Sequence, residues 1–384
     1  MINLLKLSSL FLCLCSILAM HPEDPKDRPH HLLTYGTIGS VFHNGDQLFI
    51  GQYNSSLDNG LVYVYSSNKE GNYSKHKILC PIPEAKGYQF GHSIAAYGDY
   101  LVIGAPNRVK SKGKTFLFKK DNFNEWIFQK ELIPREDISH DFGSTVYIND
   151  KHIFIADRYL NGNQGAVFSF FRDDDQWVGI SPLRNSSLEK DSFFGHSMDI
   201  SANFAAIGSR DGNVVTEYIF DSKNNNWNQF NTIYPNKIQK KGHFGFSVAY
   251  NDEELIIGYP GFDNIGNIQI YSLSNGKREH YKTINSPNTS EGDFFGSSID
   301  VSNDQLAVGS FNGEVVSLYE FNIDGTIQFQ KKLSINNIKG GKFGRSISLS
   351  KDEIIIGAGY KETSFLFEKS KDNEWQFSLE LKSQ

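Results

Sequence analysis

Three side chains that could carry out chemistry occupy one position of a repeated sequence pattern. His92 and His196 each follow a Phe-Gly pair directly, and Arg345 takes the same place in a later copy. Histidine is the side chain that most often transfers protons in catalysis. If the copies surround a central channel, these three residues form a small polar site there, and the chain is an extracellular hydrolase or lyase. The alternative is that they are ordinary polar residues that line a channel in contact with water.

The established catalytic motifs are missing from the sequence. It contains no G-x-S-x-G, no His-Glu-x-x-His, no cysteine pair suited to zinc and no glycine-rich phosphate loop. A glycosidase would need two carboxyl groups flanking the scissile bond, and we find no such pair beside the histidines. We therefore expect a protein that is not an enzyme, with no catalytic residue, no cofactor and no metal.

The elements that would position these residues follow from an internal repeat. A Phe-Gly pair is followed at a fixed distance by a small residue, which we call the marker residue. The pairs and their markers are Phe90-Gly91 with Gly104, Phe142-Gly143 with Ala156, Phe194-Gly195 with Gly208, Phe244-Gly245 with Gly258, Phe295-Gly296 with Gly309, and Phe343-Gly344 with Gly357. A degenerate copy at Ile38-Gly39 with Gly51 precedes them. The copies recur at about 50 residues, a period typical of propeller blades.

Each copy can be divided into four strands. The first strand is an alternating stretch after Phe-Gly, and the second is an aliphatic run before the marker residue. The third is a β-branched and aromatic run, and the fourth is more polar and often begins with Trp. Four antiparallel strands at this period predict an all-β, seven-bladed β-propeller. We expect it to fill residues 35–384 as a single domain, with repeats starting near residues 38, 90, 142, 194, 244, 295 and 343.

The N-terminal segment has the features of a targeting sequence. Residues 1–20 combine one lysine with an apolar run and predict a signal peptide or, alternatively, an N-terminal anchor. Residues 21–34 form a polar leader. We expect a secreted or cell-surface protein, which makes four sequons glycosylation candidates. Their asparagines are Asn54, Asn72, Asn185 and Asn288.

Composition limits the partners. The net charge is −6, whereas a nucleic-acid binder needs a clustered excess of Lys and Arg, so we expect no nucleic-acid partner. Aromatic residues make up 14% of the chain, which favours β-structure because aromatic rings pack well on a pleated surface.

The stretch Phe90-Gly91-His-Ser-Ile-Ala, continuing to Leu101-Val-Ile-Gly-Ala-Pro106, resembles the FG-GAP repeat. That repeat builds the seven-bladed propeller of integrin α subunits. The resemblance covers about residues 35–384 and implies the same fold. Integrin-like repeats hold calcium on an acidic loop between their first two strands, and here a tight turn with one carboxylate at most replaces that loop, so we expect no calcium there.

The resemblance also implies a binding face on the loops that join the second and third strands. These loops carry aromatic and arginine residues of the kind enriched in interfaces: Tyr53, Arg108, Arg158, Tyr159, Arg210, Tyr259, Phe262, Phe311 and Tyr360. Alternatively, these side chains fold back and cap the blade interior. Our leading expectation is a non-catalytic protein- or glycan-binding adhesion module. The alternatives are the channel hydrolase or lyase centred on His92, His196 and Arg345, and a structural matrix or coat component.

Overall fold

The computed structural model describes residues 38–53, 60–68, 71–79, 88–107, 111–239, 242–261, 265–287, 291–336, 338, 340–359 and 363–382. The predicted signal segment 1–20 and the leader 21–34 therefore lie outside the described residues. So do five of the predicted site residues, namely Asn54, Arg108, Phe262, Asn288 and Tyr360.

The described chain forms seven four-stranded antiparallel sheets, each made of consecutive strands. Blade 1 contains β1 (Ile38–His43), β2 (Gln47–Gln52), β3 (Leu61–Ser67) and β4 (Tyr73–Leu79), and blade 2 contains β5 (Ser93–Tyr97), β6 (Tyr100–Ala105), β7 (Lys114–Lys120) and β8 (Trp126–Glu131). Blade 3 contains β9 (Val146–Ile148), β10 (His152–Asp157), β11 (Ala166–Asp173) and β12 (Gln176–Leu183), and blade 4 contains β13 (Phe194–Ser201), β14 (Phe204–Ser209), β15 (Val214–Asp221) and β16 (Asn226–Ile233). Blade 5 contains β17 (Val248–Asn251), β18 (Glu254–Tyr259), β19 (Asn267–Ser274) and β20 (Lys277–Asn285). Blade 6 contains β21 (Phe295–Ser302), β22 (Gln305–Ser310), β23 (Val315–Phe321) and β24 (Ile327–Leu333), and blade 7 contains β25 (Phe343–Leu349), β26 (Glu353–Ala358), β27 (Thr363–Lys369) and β28 (Trp375–Lys382).

The sheets are arranged as the predicted all-β, seven-bladed propeller. Around most of the ring, the first strands of neighbouring blades contact each other, so these strands surround the central axis. Strand β1 packs against β25 and β26, which closes the ring between the first and last blades. One short helical turn, α1 (Leu160–Asn163), interrupts blade 3. No helix in the described part of the chain is long and apolar enough to cross a membrane.

At five boundaries, a serine at or near the start of the first strand joins a blade to the next one. Its hydroxyl donates to the carbonyl of the Gly in the next blade's Phe-Gly pair, at 2.7–3.2 Å in five boundaries. The donors and acceptors are Ser40 with Gly91, Ser93 with Gly143, Ser197 with Gly245, Ser247 with Gly296, and Ser298 with Gly344. Each repeat therefore forms one sheet and also supplies the contact that joins this sheet to the next blade.

The glycines of the repeat are explained by the same contact. A Cβ on the marker Gly208 would lie 2.1 Å from the Gly245 carbonyl oxygen and 2.3 Å from Ser197 Oγ. Gly245 itself has a φ of +82°, a conformation that side chains other than glycine rarely adopt. Both glycines are thus fixed by the close approach of adjacent blades.

The aromatic residue that opens the fourth strand is also a contact between blades. Trp126 Nε1 of blade 2 donates to Gln47 Oε1 of blade 1 at 3.1 Å. The ring of Trp227 in blade 4 lies 4.9 Å from the ring of His152 in blade 3. Although most residues of the fourth strands are exposed or partly exposed, Trp126 and Trp227 are buried, because each inserts its ring against the preceding blade.

The boundary between blades 7 and 1 is also formed by the residues that begin a fourth strand and a second strand. Tyr73 OH donates to Glu353 Oε2 at 3.0 Å, and His43 Nε2 lies 2.6 Å from the same oxygen. Ile355 and Leu366 of blade 7 share a hydrophobic cluster with Val41 of blade 1. The ring is closed by packing and polar contacts between two complete blades.

Candidate functional site

The antiparallel order of each blade defines one end of the ring as a candidate site. The first strand starts where the second strand ends, so the residues around each Phe-Gly pair lie beside the residues that follow each marker. We call this end the channel mouth. It consists of the residue before each Phe-Gly pair, the residue after it, and the two or three residues after each marker.

Most side chains that follow the Phe-Gly pairs are enclosed within the mouth. The residues directly after the six Phe-Gly pairs are His92, Ser144, His196, Phe246, Ser297 and Arg345, and all except Arg345 are buried. His92 Nδ1 contacts the Ser144 carbonyl oxygen at 3.1 Å, and the ring of His196 lies 4.6 Å from that of Phe246. His92 and His196 are therefore enclosed by neighbouring groups of the protein.

Positive groups converge on His196. Burial lowers the pKa of His196 well below its ordinary value of 6.5, and nearby positive charges lower it further. In falling order of effect, these charges belong to Arg210, Arg158, His243 and Arg345. The sequence pattern assigns Arg158 and Arg210 to the loop face, and His196 and Arg345 to the central channel. The structure brings all four together at one mouth.

Arg158 is held inside the mouth by a carboxylate. Its Nε donates to Asp141 Oδ2 at 2.7 Å, its Nη2 donates to Asp141 Oδ1 at 2.9 Å, and its backbone N–H donates to Oδ2 at 3.1 Å. Both side chains are buried. A paired arginine in this position is structural, so the expectation that Arg158 is an exposed binding residue is corrected.

A second carboxyl group lies buried next to this pair. Ser139 donates to Asp157 through its backbone N–H, at 2.6 Å, and through its hydroxyl. Burial raises the pKa of Asp157 above its ordinary value, and the bonds from Ser139 oppose that shift. Asp141 raises the pKa of Asp157 further. Blade 3 thus places two carboxyl groups at the edge of the cationic mouth.

Blades 4 and 5 supply an arginine, a carboxylate and an imidazole at one point. His243 Nδ1 lies 2.7 Å from Asp211 Oδ1, and Arg210 Nε lies 3.2 Å from the same oxygen. The Arg210 guanidinium lies over the ring of Phe193 at 5.0 Å. The His243 side chain is 15% exposed and that of Asp211 is 30% exposed. This group is both ordered by mutual contact and reached by solvent.

The side of the mouth formed by blades 6 and 7 is aromatic. Phe294 stacks on Phe311 with their ring centroids 4.8 Å apart. Arg345 lies over Phe311 at 5.2 Å, and Lys342 Nζ lies 5.4 Å from the same ring. The mouth is therefore asymmetric, with most of its ionisable groups on blades 3 to 5.

Two predicted binding residues belong to the protein interior instead. Tyr53 is buried with its ring 5.0 Å from that of His92. Tyr259 is fully buried, and its hydroxyl accepts the backbone N–H of Gln239 at 2.6 Å. Both rings fold back into the blades, so neither is an exposed contact residue. Tyr159 is 40% exposed, at the rim of the mouth against His140.

The two described sequons differ in their surroundings. Asn72 is exposed in the turn between β3 and β4. Asn185 is buried, and its Nδ2 donates to Thr216 Oγ1 at 2.9 Å. Its amide is therefore enclosed in the folded chain, whereas glycosylation of Asn72 stays a prediction.

Several residues of the mouth escaped the prediction from sequence. Those directly before the Phe-Gly pairs are Gln89, Asp141, Phe193, His243, Phe294 and Lys342. Four of them, Phe193, His243, Phe294 and Lys342, have φ between +54° and +61°. The sequence contained a signal for these residues, because the position before each Phe-Gly pair recurs as regularly as the position after it.

Comparison with known proteins gives a likeness of fold. No protein-family model matches the chain, and no curated protein matches it. The solved structure of a periplasmic gluconolactonase from Pseudomonas aeruginosa covers 92% of this chain and 96% of its own, with a TM-score of 0.63 and 11% identity. A "putative 6-phosphogluconolactonase" from Bacteroides uniformis covers 92% and 96%, with a TM-score of 0.62 and 10% identity. A protein of the same description from Bacteroides fragilis covers 94% and 97%, with a TM-score of 0.62 and 10% identity.

These neighbours correct the leading expectation from sequence. We expected a non-catalytic adhesion module and no enzyme, by resemblance to integrin-like repeats. The neighbours named above carry the names of lactonases, which are enzymes. At this level of identity the likeness establishes the propeller fold. The adhesion module is therefore set aside.

Proposed function

We propose that the protein is a hydrolase that opens a cyclic ester, a lactone of a sugar acid, at the channel mouth. The observation that carries this proposal is the placement of two guanidinium groups at the mouth, Arg210 over Phe193 at 5.0 Å and Arg345 over Phe311 at 5.2 Å. Positive groups in a partly closed site attract an anionic substrate and stabilise the negative charge that develops on a carbonyl oxygen during ester hydrolysis.

The names of the structural neighbours supply the substrate class. Gluconolactonase and 6-phosphogluconolactonase act, by their names, on lactones of sugar acids. Because one fold can host many activities, the chemistry has to come from this chain's own residues. Imidazole, carboxylate and guanidinium groups at one mouth can transfer protons and stabilise an oxyanion during ester hydrolysis.

The proposal includes a place outside the cytoplasm. The apolar segment 1–20 predicts export, and a periplasmic neighbour is compatible with it. We also propose that the blade sequence is of the FG-GAP type. This assignment concerns the packing of the blades and does not determine the activity.

Proton release tests the proposal directly, since opening a lactone at pH 7 yields a carboxylate and a proton. Purified protein is added to a neutral aldonolactone and to a phosphorylated one in weak buffer, and the rate is compared with spontaneous hydrolysis. We expect acceleration by the wild type and a loss of at least tenfold in kcat/KM in Arg210→Gln. Arg184→Gln is the matched control, because Arg184 pairs with Glu136 on the exposed outer edge of its blade.

A wild type that leaves both lactones at their spontaneous rate contradicts the proposal. Equal losses in Arg210→Gln and Arg184→Gln would place the activity away from the mouth and contradict it as well.

A further inference from the structure

Resting on the proposed function, we propose that His140, Tyr159 and Phe193 form a subsite for a sugar ring that is linked to the lactone. The preferred substrate is then the lactone of a glycosyl aldonic acid, in which a second sugar is attached to the sugar acid. We call these three residues the aromatic rim. His140 and Phe193 lie just before Phe-Gly pairs, and Tyr159 lies three residues after the marker of blade 3.

The aromatic rim is a continuous row of rings. The ring centroid of Tyr159 lies 5.0 Å from that of His140, with an angle of 51° between the ring planes. It lies 5.4 Å from that of Phe193, with an angle of 79°. Neither neighbour stacks parallel to Tyr159, so the contacts hold its ring from two sides without a second ring lying flat on it.

The aromatic rim reaches solvent. Tyr159 is 40% exposed, His140 is exposed and Phe193 is partly exposed. Tyr53 and Tyr259, in contrast, are buried in the blades. Sites for small molecules combine apolar and aromatic surface with a few polar groups. The aromatic rim supplies such a surface at the edge of the cationic mouth.

The backbone that carries Tyr159 is held on both sides. Before it, the backbone N–H of Arg158 donates to the buried carboxylate of Asp141 at 3.1 Å. After it, the loop is bonded to blade 4, where the backbone N–H of Phe193 donates to the carbonyl oxygen of Asn163 at 2.9 Å. A tyrosine presented on a fixed backbone loses little conformational entropy when a ligand binds.

Phe193 has an unusual backbone conformation. Its φ of +54° is rare for a bulky residue, and such conformations concentrate at functional sites. The conformation places the Phe193 ring between two groups of the mouth, with Tyr159 at 5.4 Å on one side and the guanidinium of Arg210 at 5.0 Å. Phe193 therefore connects the aromatic rim to the charged part of the mouth.

Arg210 determines which end of the substrate lies where. Its side chain is 24% exposed, and a guanidinium binds carboxylates and stabilises an oxyanion. The carbonyl end of the lactone, which becomes the carboxylate of the product, is therefore placed at Arg210. The next part of the substrate then lies across Phe193, on Tyr159.

The chemistry of the aromatic rim selects a sugar ring for that position. One face of a pyranose presents C–H groups and matches the apolar face of an aromatic ring, while its hydroxyl groups point outward. Tyrosine combines an apolar ring with a polar hydroxyl group, and histidine offers a hydrogen-bonding nitrogen beside it. A sugar ring joined to an acid group is therefore complementary to Tyr159, His140 and Arg210 together.

Ligands that the protein does not hydrolyse separate the two parts of the site. Isothermal titration calorimetry compares lactobionate, which is a galactosyl gluconate, with gluconate. We expect the wild type to bind lactobionate about three- to tenfold more tightly, the range of one aromatic contact. Tyr159→Ala should lower the affinity for lactobionate to that for gluconate. Tyr159→Phe keeps the ring and should retain the wild-type ratio, and Arg210→Gln should weaken the binding of both ligands.

The matched control is Tyr281→Ala. Tyr281 is 51% exposed on the outer strand β20, so its removal takes away an exposed tyrosine at a distance from the mouth. It should show wild-type affinities for both ligands. Hydrolysis of the lactones of the same two acids is measured on all variants, and the ratio of their kcat/KM values should follow the ratio of affinities.

The failures of the two proposals are distinguishable. A wild type that binds lactobionate and gluconate equally overturns the subsite, even if it hydrolyses lactones. Equal weakening of both ligands in Tyr159→Ala overturns it as well, because that result indicates a general disturbance of the mouth. A wild type that prefers lactobionate, loses this preference in Tyr159→Ala and leaves both lactones at their spontaneous rates supports the sugar subsite and contradicts the proposed function alone.

Discussion

Ser197 Oγ donates to the carbonyl oxygen of Gly245 at 2.8 Å, across the boundary between blades 4 and 5. Gly208 leaves room for both atoms, since a Cβ there would lie within 2.3 Å of each. His243 lies two residues before Gly245. The contact that packs one blade on the next therefore also fixes the chain segment that carries His243.

Removing that hydroxyl should weaken the blade boundary. We expect Ser197→Ala to lower the free energy of unfolding by about 1 to 2 kcal/mol, because a buried acceptor loses its donor. Urea unfolding measures the loss. Ser201→Ala is the control, since Ser201 donates to Asp252 in exposed surroundings, and it should change stability by less than about 0.5 kcal/mol. Equal losses in both variants would contradict the role of Ser197.

His152 should make the protein sensitive to acid. Burial, and then the charge of Lys151, lower the pKa of His152 to about 3. The unfolded chain binds a proton at this residue below pH 6.5 while the folded chain does not, so stability should fall as the pH drops from 6.5 towards 3. The slope contributed by this residue approaches about 1.4 kcal/mol per pH unit.

The variant His152→Gln tests this directly. Gln47 occupies the equivalent place in blade 1 and accepts a hydrogen bond from a tryptophan of the next blade, so glutamine suits the position. Urea unfolding at several pH values should give the variant a shallower loss of stability in acid than the wild type. Parallel curves would show that the protonation of His152 plays no part.

A buried ion pair in blades 4 and 5 gives a third prediction. Arg278 Nη2 lies 2.7 Å from Glu217 Oε1, and the Tyr250 hydroxyl donates to the same oxygen at 2.8 Å. Arg278→Met leaves a buried carboxylate without its counter-ion, and we expect a loss of about 3 to 5 kcal/mol. Adding Glu217→Leu should restore part of that loss in urea unfolding. A double variant less stable than Arg278→Met alone would contradict this account.

Arg345 should affect substrate affinity according to charge. It is partly exposed over Phe311, away from the pair formed by His243 and Asp211. We expect Arg345→Gln to raise KM about tenfold for a phosphorylated lactone, a loss of about 1.4 kcal/mol, and to leave KM for a neutral lactone unchanged. Steady-state kinetics on the two substrates test this. A rise in KM for both lactones would show a general loss of binding and contradict recognition of charge by Arg345.

The fold could be predicted because its determinants are local and repeated. Phe-Gly, the following serine and the marker glycine each recur in sequence, and each has one physical cause, the close contact between blades. The inward direction of Tyr53 and Tyr259 could not be predicted, because a loop composition does not reveal whether a ring faces solvent or the blade interior. His243 escaped for a related reason: it lies close to Asp211 of another blade, and that proximity exists only after the ring has formed.

The closure of the ring has a consequence for how the chain folds. Each blade consists of consecutive strands, so its sheet can form from local contacts. The contact between His43 and Ser348, in contrast, joins residues 305 positions apart, and closing so long a loop carries an entropic cost that local pairing does not. We therefore expect closure between blades 1 and 7 to be the last and slowest folding event. Until it occurs, the apolar sides of both terminal blades are exposed to aggregation.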